Sequence, residues 1–346
     1  MSRHSKILLT ALVLVIGSCV TPFDIDVSST KKYLVVEANL NDIDKEQIIS
    51  INITNNFEEN TYNSPLSGLK VELIVNRTET INLIETKKGI YALPFSFRIV
   101  PGAIYQLRFQ MPDGTLYESS EEKTSQAAAI DKIFDEFVAD GIKGELRDFP
   151  ANYVYLDFRD KPNEKDFYVW TWTLWENQRF CKTDYYDYYC SNKCWEILPN
   201  KDFNVFSDVY SNGKTTLGKL IAKIPYYSFD GALLEIRQQA VSEQAYHYFK
   251  LLTEQTQTNG TLVDTPPAAI VGNIKNISNP TEPVGGVFSV ATVVKQKYWL
   301  NRENGIGKAI PVGLLGRMPV LVPNQITYPC LESPTRTPTK PEGWVD

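Results

Sequence analysis

Histidine is nearly missing from this chain of 346 residues: His4 and His247 are its whole complement. A Ser-His-Asp or Cys-His relay, or a zinc site built on several imidazoles, needs histidines that are not there. His247 falls in "SEQAYHYFKLL", beside aromatic residues on a predicted helix, and reads as a packing or surface residue. No glycine-rich phosphate loop precedes a helix, since "VGNI" and "VGGVF" lack both the spacing and the lysine. No G-x-S-x-G nucleophile elbow occurs. No apolar run reaches the roughly 20 residues that a membrane-spanning helix needs. Basic residues are outnumbered, 35 against 41 acidic ones, which argues against a face for nucleic acid or anionic lipid.

The longest apolar run, residues 7–16, lies behind Arg3, His4 and Lys6 and ends in Gly17-Ser18. Positive start, short apolar stretch and small residues are the three parts of an export signal, so residues 1–18 read as a signal peptide. Cys19 follows at once, in the setting of a lipoprotein box. Its thiol is expected to accept a diacylglycerol and, after cleavage, its amine an acyl chain such as palmitate. More than one lipid chain makes a stable anchor. Residues 19–30 then form a lipidated tether. The export segment holds two of the basic residues and none of the acidic ones, which leaves the mature chain at −8.

From Tyr33 the chain reads as short strands, "YLVVEANL", "EQIISINIT", "LKVELIV", "TINLIE", "GIYALP", "AIYQLRFQ" and "TLYESS". They are β-branched or aromatic and separated by turn residues. Pro112-Asp113-Gly114 is the strongest hairpin signal. In "AIYQLRF", Tyr105, Leu107 and Phe109 alternate with Ile104, Gln106 and Arg108, so the first set faces a core. Seven strands over residues 31–125 predict an antiparallel sandwich of immunoglobulin-like size.

Residues 126–346 predict a second β-rich domain with one helix near residues 242–258. Ser242 is its expected N-cap, and Ala245, Tyr248, Phe249 and Leu252 share a face. In "YVWTWTL", Tyr168, Trp170, Trp172 and Leu174 fall on one side of a strand; a core face is the simpler reading and a sugar-stacking platform the sharper one. Residues 266–286 read as a long loop rich in Pro, Gly and Asn.

Besides Cys19 there are four cysteines, Cys181, Cys190, Cys194 and Cys330. An even number in an exported chain argues for two disulfides, with three connectivities open. The favoured pairing is Cys181 to Cys190, closing a local loop, and Cys194 to Cys330, fastening the C-terminal segment. Eight and three intervening residues separate the first three cysteines. These spacings do not match common metal knuckles, so neither a metal site nor a cofactor is expected. Tyr185, Tyr186, Tyr188 and Tyr189 in the stapled loop are candidate partner-binding residues, because tyrosine offers large rigid contact area at low entropic cost.

Carboxylates leave less trace in a sequence, and a glycosidase pair depends on spacing in space. Asp157, Asp160 and Glu176 are the nominees, each more simply a strand-end or turn residue. The segment "DKPNEKD" lacks the acidic spacing of a known calcium loop and reads as a solvated turn.

Several stretches together resemble one family. "CVTPFDIDV…KYLVVEANLND", "PGAIYQLRF…DGTLYESS", "AYHYFKLLTEQT", "PPAAIVGNIKNISNPTEPVGGVFSVATV" and "YPC…KPEGWVD" look like the domain of unknown function 4249 family of Bacteroidota lipoproteins. The most specific elements are residues 33–39, Cys194-Trp195, and the run from Gly272-Asn273 through Asn279-Pro280 to Gly286-Val287-Phe288-Ser289. The resemblance implies an outer-membrane lipoprotein, on the cell-surface face, that partners a SusC-like TonB-dependent β-barrel. The expected role is a non-enzymatic accessory or ligand-binding subunit. The alternative is a subunit of an outer-membrane protein assembly or secretion complex, and a third reading is a glycan-acting hydrolase.

Overall fold

In the computed structural model the described residues are 32–57, 60–162, 165–183, 187–209, 213–256, 270, 272–312 and 326–346. Cys19, Tyr185 and Tyr186 lie outside them. The chain runs through β1 (Leu34–Asn41), β2 (Ile48–Phe57), β3 (Asn60–Pro65), β4 (Lys70–Val75), β5 (Glu79–Asn82), β6 (Ile84–Lys87), β7 (Ile90–Ala92), β8 (Ile104–Gln110), β9 (Leu116–Ser119) and β10 (Glu122–Lys123). It continues through β11 (Ile130–Ile142), β12 (Phe149–Arg159), β13 (Phe167–Asn177), β14 (Phe180–Thr183), β15 (Asp187–Cys190), β16 (Trp195–Pro199), β17 (Asn204–Ser207), β18 (Thr215–Pro225) and β19 (Ala232–Val241). Helix α1 (Glu243–Thr256), β20 (Ile274–Asn276), β21 (Val284–Leu300), β22 (Thr327–Tyr328) and β23 (Arg336–Thr337) complete it. Among the described residues the expected mainly-β class with one helix holds.

The first sandwich obeys the alternation read from its strands. Tyr105, Leu107 and Phe109 of β8 are buried, while Ile104, Gln106 and Arg108 turn outward. They meet Val71, Leu73 and Val75 of β4, and across the sandwich Leu34, Val36, Ala38 and Leu40 of β1 with Ile49 and Ile51 of β2. Each such large side chain contributes roughly 1.5–3 kcal/mol on leaving water. The hairpin forms where Pro112-Asp113-Gly114 placed it: Gly114 takes φ +90°, its N–H donates to the Met111 carbonyl at 3.0 Å, and Arg108 pairs with Glu118 across the strands.

Late residues complete this sandwich. β20 pairs with β9, and the first half of β21 runs parallel to β1 from Leu34↔Val284 to Asn41↔Ala291. Ile274, Val284, Phe288 and Val290 join the same core. Part of the predicted 266–286 loop is therefore strand, a correction with a clear cause: "NIKN" is too short and polar to announce a strand without its partner. β21 then continues antiparallel to β19 from Ala240↔Thr292 to Ala232↔Leu300. One strand of 17 residues thus belongs to two sandwiches.

In the second sandwich, β11-β12-β18 face β13, β19 and the end of β21. Tyr168, Trp170 and Leu174 are buried in this core, and Trp172 packs against it. The core reading of the aromatic ladder is the one the structure adopts. Phe158 meets Tyr168, Trp170 and Phe206 at ring separations of 5.3, 5.6 and 5.5 Å. On the opposite face of β13, Phe167 and Val169 pack with Ala245 and Phe249 of α1. Ser242 Oγ caps the helix by accepting the Ala245 N–H at 3.1 Å. His247 is exposed, 3.8 Å from Glu243 one turn away.

Candidate functional site

The 11-residue strand β13 carries a distinctive feature at each end. Near Asn177 lies the disulfide-bonded region. Cys181 is bonded to Cys190, and Cys194 to Cys330. The sulfurs of Cys181, Cys194 and Cys330 lie within 4.8 Å of one another, so the bridges sit side by side. The long-range bridge spans 136 residues and brings β22 onto β15 and β23 onto β16. Tyr188 lies edge-on to Tyr328 with ring centroids 4.9 Å apart, and Tyr189 packs on Phe180 at 5.4 Å. Both rings are half-buried against their own surroundings.

The same segment delivers Trp344 between Trp195 and Trp299, at centroid distances of 5.8 and 5.0 Å. The three indoles line an open cleft of about 460 Å³ together with Asn177, Lys193, Asp230 and Asp346. Gly231 lets Trp299 lie against the backbone: a Cβ there would stand 2.3 Å from the indole ring. Arg179 holds Asp230 at 2.6 Å, and Lys193 reaches Asp346 at 3.3 Å. Trp195 is buried and its Nε1–H has no acceptor. Neither Trp299 nor Trp344 was nominated as a site residue from the sequence, because β21 and the disulfide-bonded C-terminal segment meet only in the fold.

Of the elements that carry the family resemblance, Cys194-Trp195 lies at the cleft, while the glycine- and asparagine-rich run lies with the first sandwich. Cys194-Trp195 supplies one bridge and one indole. Gly272 and Gly286 let backbones touch: a Cβ on Gly272 would lie 1.7 Å from the Gly286 carbonyl oxygen, and one on Gly286 would lie 1.9 Å from that of Val36. Asn276 accepts the N–H groups of Ser278 and Asn279 and donates to Glu282, which also accepts the Tyr117 hydroxyl. Residues 20–297 match the family described as Domain of unknown function (DUF4249). The chain belongs to that family. No curated protein matches it. The glycine- and asparagine-rich run of this chain is thus a framework joining β20, β21 and β1.

Glu176, nominated from sequence for chemistry, is fully buried and held by both terminal nitrogens of Arg302, one of them at 3.0 Å. Arg302 also donates to the Asp230 carbonyl at 3.2 Å, directly beneath the cleft's acidic residue. Asp157 accepts the Gly218 N–H at 2.7 Å, at the irregularity in the pairing of β12 with β18.

At the other end of β13, Asp160, Asp166 and Asp208 are buried, with carboxylate oxygens within 4.8 Å of one another. This corrects the reading of "DKPNEKD" as a solvated turn: both its terminal aspartates point inward. Asp208 went unnoticed, since it lies 42 residues beyond Asp166 in a segment without an acidic pattern. Asp160 accepts the Tyr168 hydroxyl at 3.0 Å and the Gly213 N–H at 3.4 Å; Asp208 Oδ1 accepts the Asp166 N–H at 3.0 Å. Both oxygens of Asp166 and Oδ2 of Asp208 have no partner. Burial, followed by the neighbouring carboxylates, pushes Asp166 up to about 7 and Asp208 up to about 6.

Proposed function

We propose that the protein is a non-enzymatic, lipid-anchored binding subunit that works beside an outer-membrane TonB-dependent β-barrel. The observation that carries this reading is the cleft of Trp195, Trp299 and Trp344, edged by Asn177, Lys193, Asp230 and Asp346 and held by the Cys194–Cys330 bridge. Flat apolar rings beside a few polar groups suit a compact ligand with an apolar face and a hydrogen-bonding rim, such as a saccharide. The lipoprotein box at Cys19 supplies the tether, and the family resemblance supplies the barrel as partner.

A tag on the lipidated protein, gentle extraction of native membranes and mass identification of the co-purifying chains test this. A TonB-dependent barrel recovered in stoichiometric amount is the expected outcome. A solitary lipoprotein overturns the reading. Recovery of a large multi-chain assembly replaces it with the alternative role in outer-membrane protein biogenesis.

A further inference from the structure

The end of β13 remote from the cleft gathers three carboxylates, none of them in an ion pair among the described residues. Asp160 follows β12, Asp166 precedes β13, Asp208 follows β17, and Gly213 and Lys214 lead into β18. β12 pairs with β18, closing with Arg159↔Thr215, and β13 pairs with β17, opening with Phe167↔Ser207. The first pair lies in one sheet of the second sandwich and the second pair in the other. The three aspartates therefore sit where two neighbouring connections cross from sheet to sheet.

Three buried carboxylates in contact oppose folding unless a cation stands among them or they take up protons. Lys161, the nearby cation, donates instead to the Gln126 carbonyl at 3.0 Å. Asp166 is 1 % exposed and neither of its oxygens is bonded; Asp208 is fully buried with Oδ2 also unbonded, and a carboxylate oxygen of each lies within 4.8 Å of the other and of Asp160. Unsatisfied buried groups of this kind are rare in folded proteins, and three on adjoining carboxylates converge on a common partner.

We infer that Asp160, Asp166 and Asp208 form a site for one divalent cation, and that the cation is Ca²⁺. The donors are all hard oxygens, with neither imidazole nor thiolate among them, which selects against zinc and the later transition metals. Oxygens within 4.8 Å of one another fit around an ion that holds its ligands at about 2.3–2.6 Å. Mg²⁺, at about 2.0–2.1 Å with near-octahedral demands, suits a tighter and more hydrated setting. A bound Ca²⁺ neutralises two of the three charges and pins the β12–β13 connection to the β17–β18 connection. The role is that of a structural staple, opposite in position to the two disulfides and independent of the barrel partnership.

The full chain, purified in detergent and stripped with EDTA, provides the test by thermal unfolding with and without millimolar CaCl₂, and by Tb³⁺ luminescence. Tyr168 bonds to Asp160, and its ring centroid is 5.9 Å from that of Trp170, so excitation of these rings sensitises an ion at the site. The expected result is a Ca²⁺-dependent rise in Tm of about 3–8 °C, as for a ligand present at roughly a hundred times its Kd. Terbium emission should rise and be displaced by Ca²⁺. Asp166→Asn and Asp208→Asn should each abolish both responses. In EDTA, D166N should melt no lower than the wild type, because one repelling charge is gone. An unchanged wild-type Tm in 5 mM Ca²⁺, with emission no greater than that of D166N, overturns the site and leaves the carboxylates sharing protons. A response to Mg²⁺ in place of Ca²⁺ overturns the choice of ion. If neither variant unfolds cooperatively, calorimetric titration of the wild type decides, with one equivalent of bound Ca²⁺ expected and none overturning.

Discussion

Asn273 and Phe288 are joined by two hydrogen bonds that tie the glycine- and asparagine-rich run to the core strand β21. The Asn273 side chain accepts the Phe288 N–H at 2.9 Å and donates to the Phe288 carbonyl at 2.7 Å. The same amide nitrogen is within 3.0 Å of Ser120 and 2.8 Å of Glu122. One side chain thus imitates a strand partner on the edge of β21 opposite β1, and anchors β9 and β10 to it. Asn273→Ala removes all of this and leaves polar backbone buried, at a cost of about 2–4 kcal/mol. Urea unfolding of the two proteins side by side measures it. Asn273→Asp should be as damaging, since a carboxylate cannot donate to the Phe288 carbonyl and repels Glu122.

Gly286 makes a harsher prediction. Its φ of +85° suits glycine, and an added Cβ would overlap the Val36 carbonyl oxygen on β1. Neither backbone can retreat without losing the parallel pairing of β1 with β21. Gly286→Ala should cost roughly 3 kcal/mol or more and lower the yield of folded protein. Gly114→Ala is the control: its φ is also positive, yet nothing stands within 4 Å of the added methyl, so only the strain of about 1 kcal/mol remains.

Glu176 and Arg302 form a fully buried pair. Arg302→Met should destabilise by about 3–5 kcal/mol, because it strands a carboxylate in the core. The double variant Glu176→Leu with Arg302→Met should recover most of that loss. A double-mutant cycle by chemical denaturation checks both. Should R302M prove harmless, Glu176 would have to be neutral in the native protein.

Glu122 sets the expected pH dependence. Burial raises it above its ordinary 4.5, and the hydroxyls of Ser242 and Ser120 with the Asn273 amide offset only part of that. An acid whose folded pKa is raised binds its proton more tightly when folded. Its contribution is therefore most favourable at low pH and declines as pH rises from about 4.5 through the raised value. Glu122→Gln keeps the acceptor and removes the titration. The stability of wild type relative to E122Q should fall across that window and stay level above it. Denaturation curves taken between pH 4 and 8 measure the difference, and a flat difference refutes the assignment.

Much of the fold was legible because strands advertise themselves. Tyr105, Leu107 and Phe109 alternate with polar neighbours, Pro112-Asp113-Gly114 can hardly be other than a turn, and Ser242 caps a helix whose buried residues are Ala245 and Phe249. Such signals are local and need no partner to be read. The bonded pairs Cys181–Cys190 and Cys194–Cys330 match the favoured pairing, since a short loop closes readily and leaves the remaining two.

The amino-acid sequence by itself determined the β class, the hairpins, the helix and the even set of bridge-forming cysteines, all properties of neighbours along the chain. Tertiary structure alone decided that Val284–Leu300 serves two sandwiches, that Trp195, Trp299 and Trp344 meet in one cleft, and that Asp208 joins Asp160 and Asp166. These depend on which distant segments pair, and pairing is fixed by the burial of whole faces against one another. A lone tryptophan or aspartate carries no mark of the strand that folding will bring beside it.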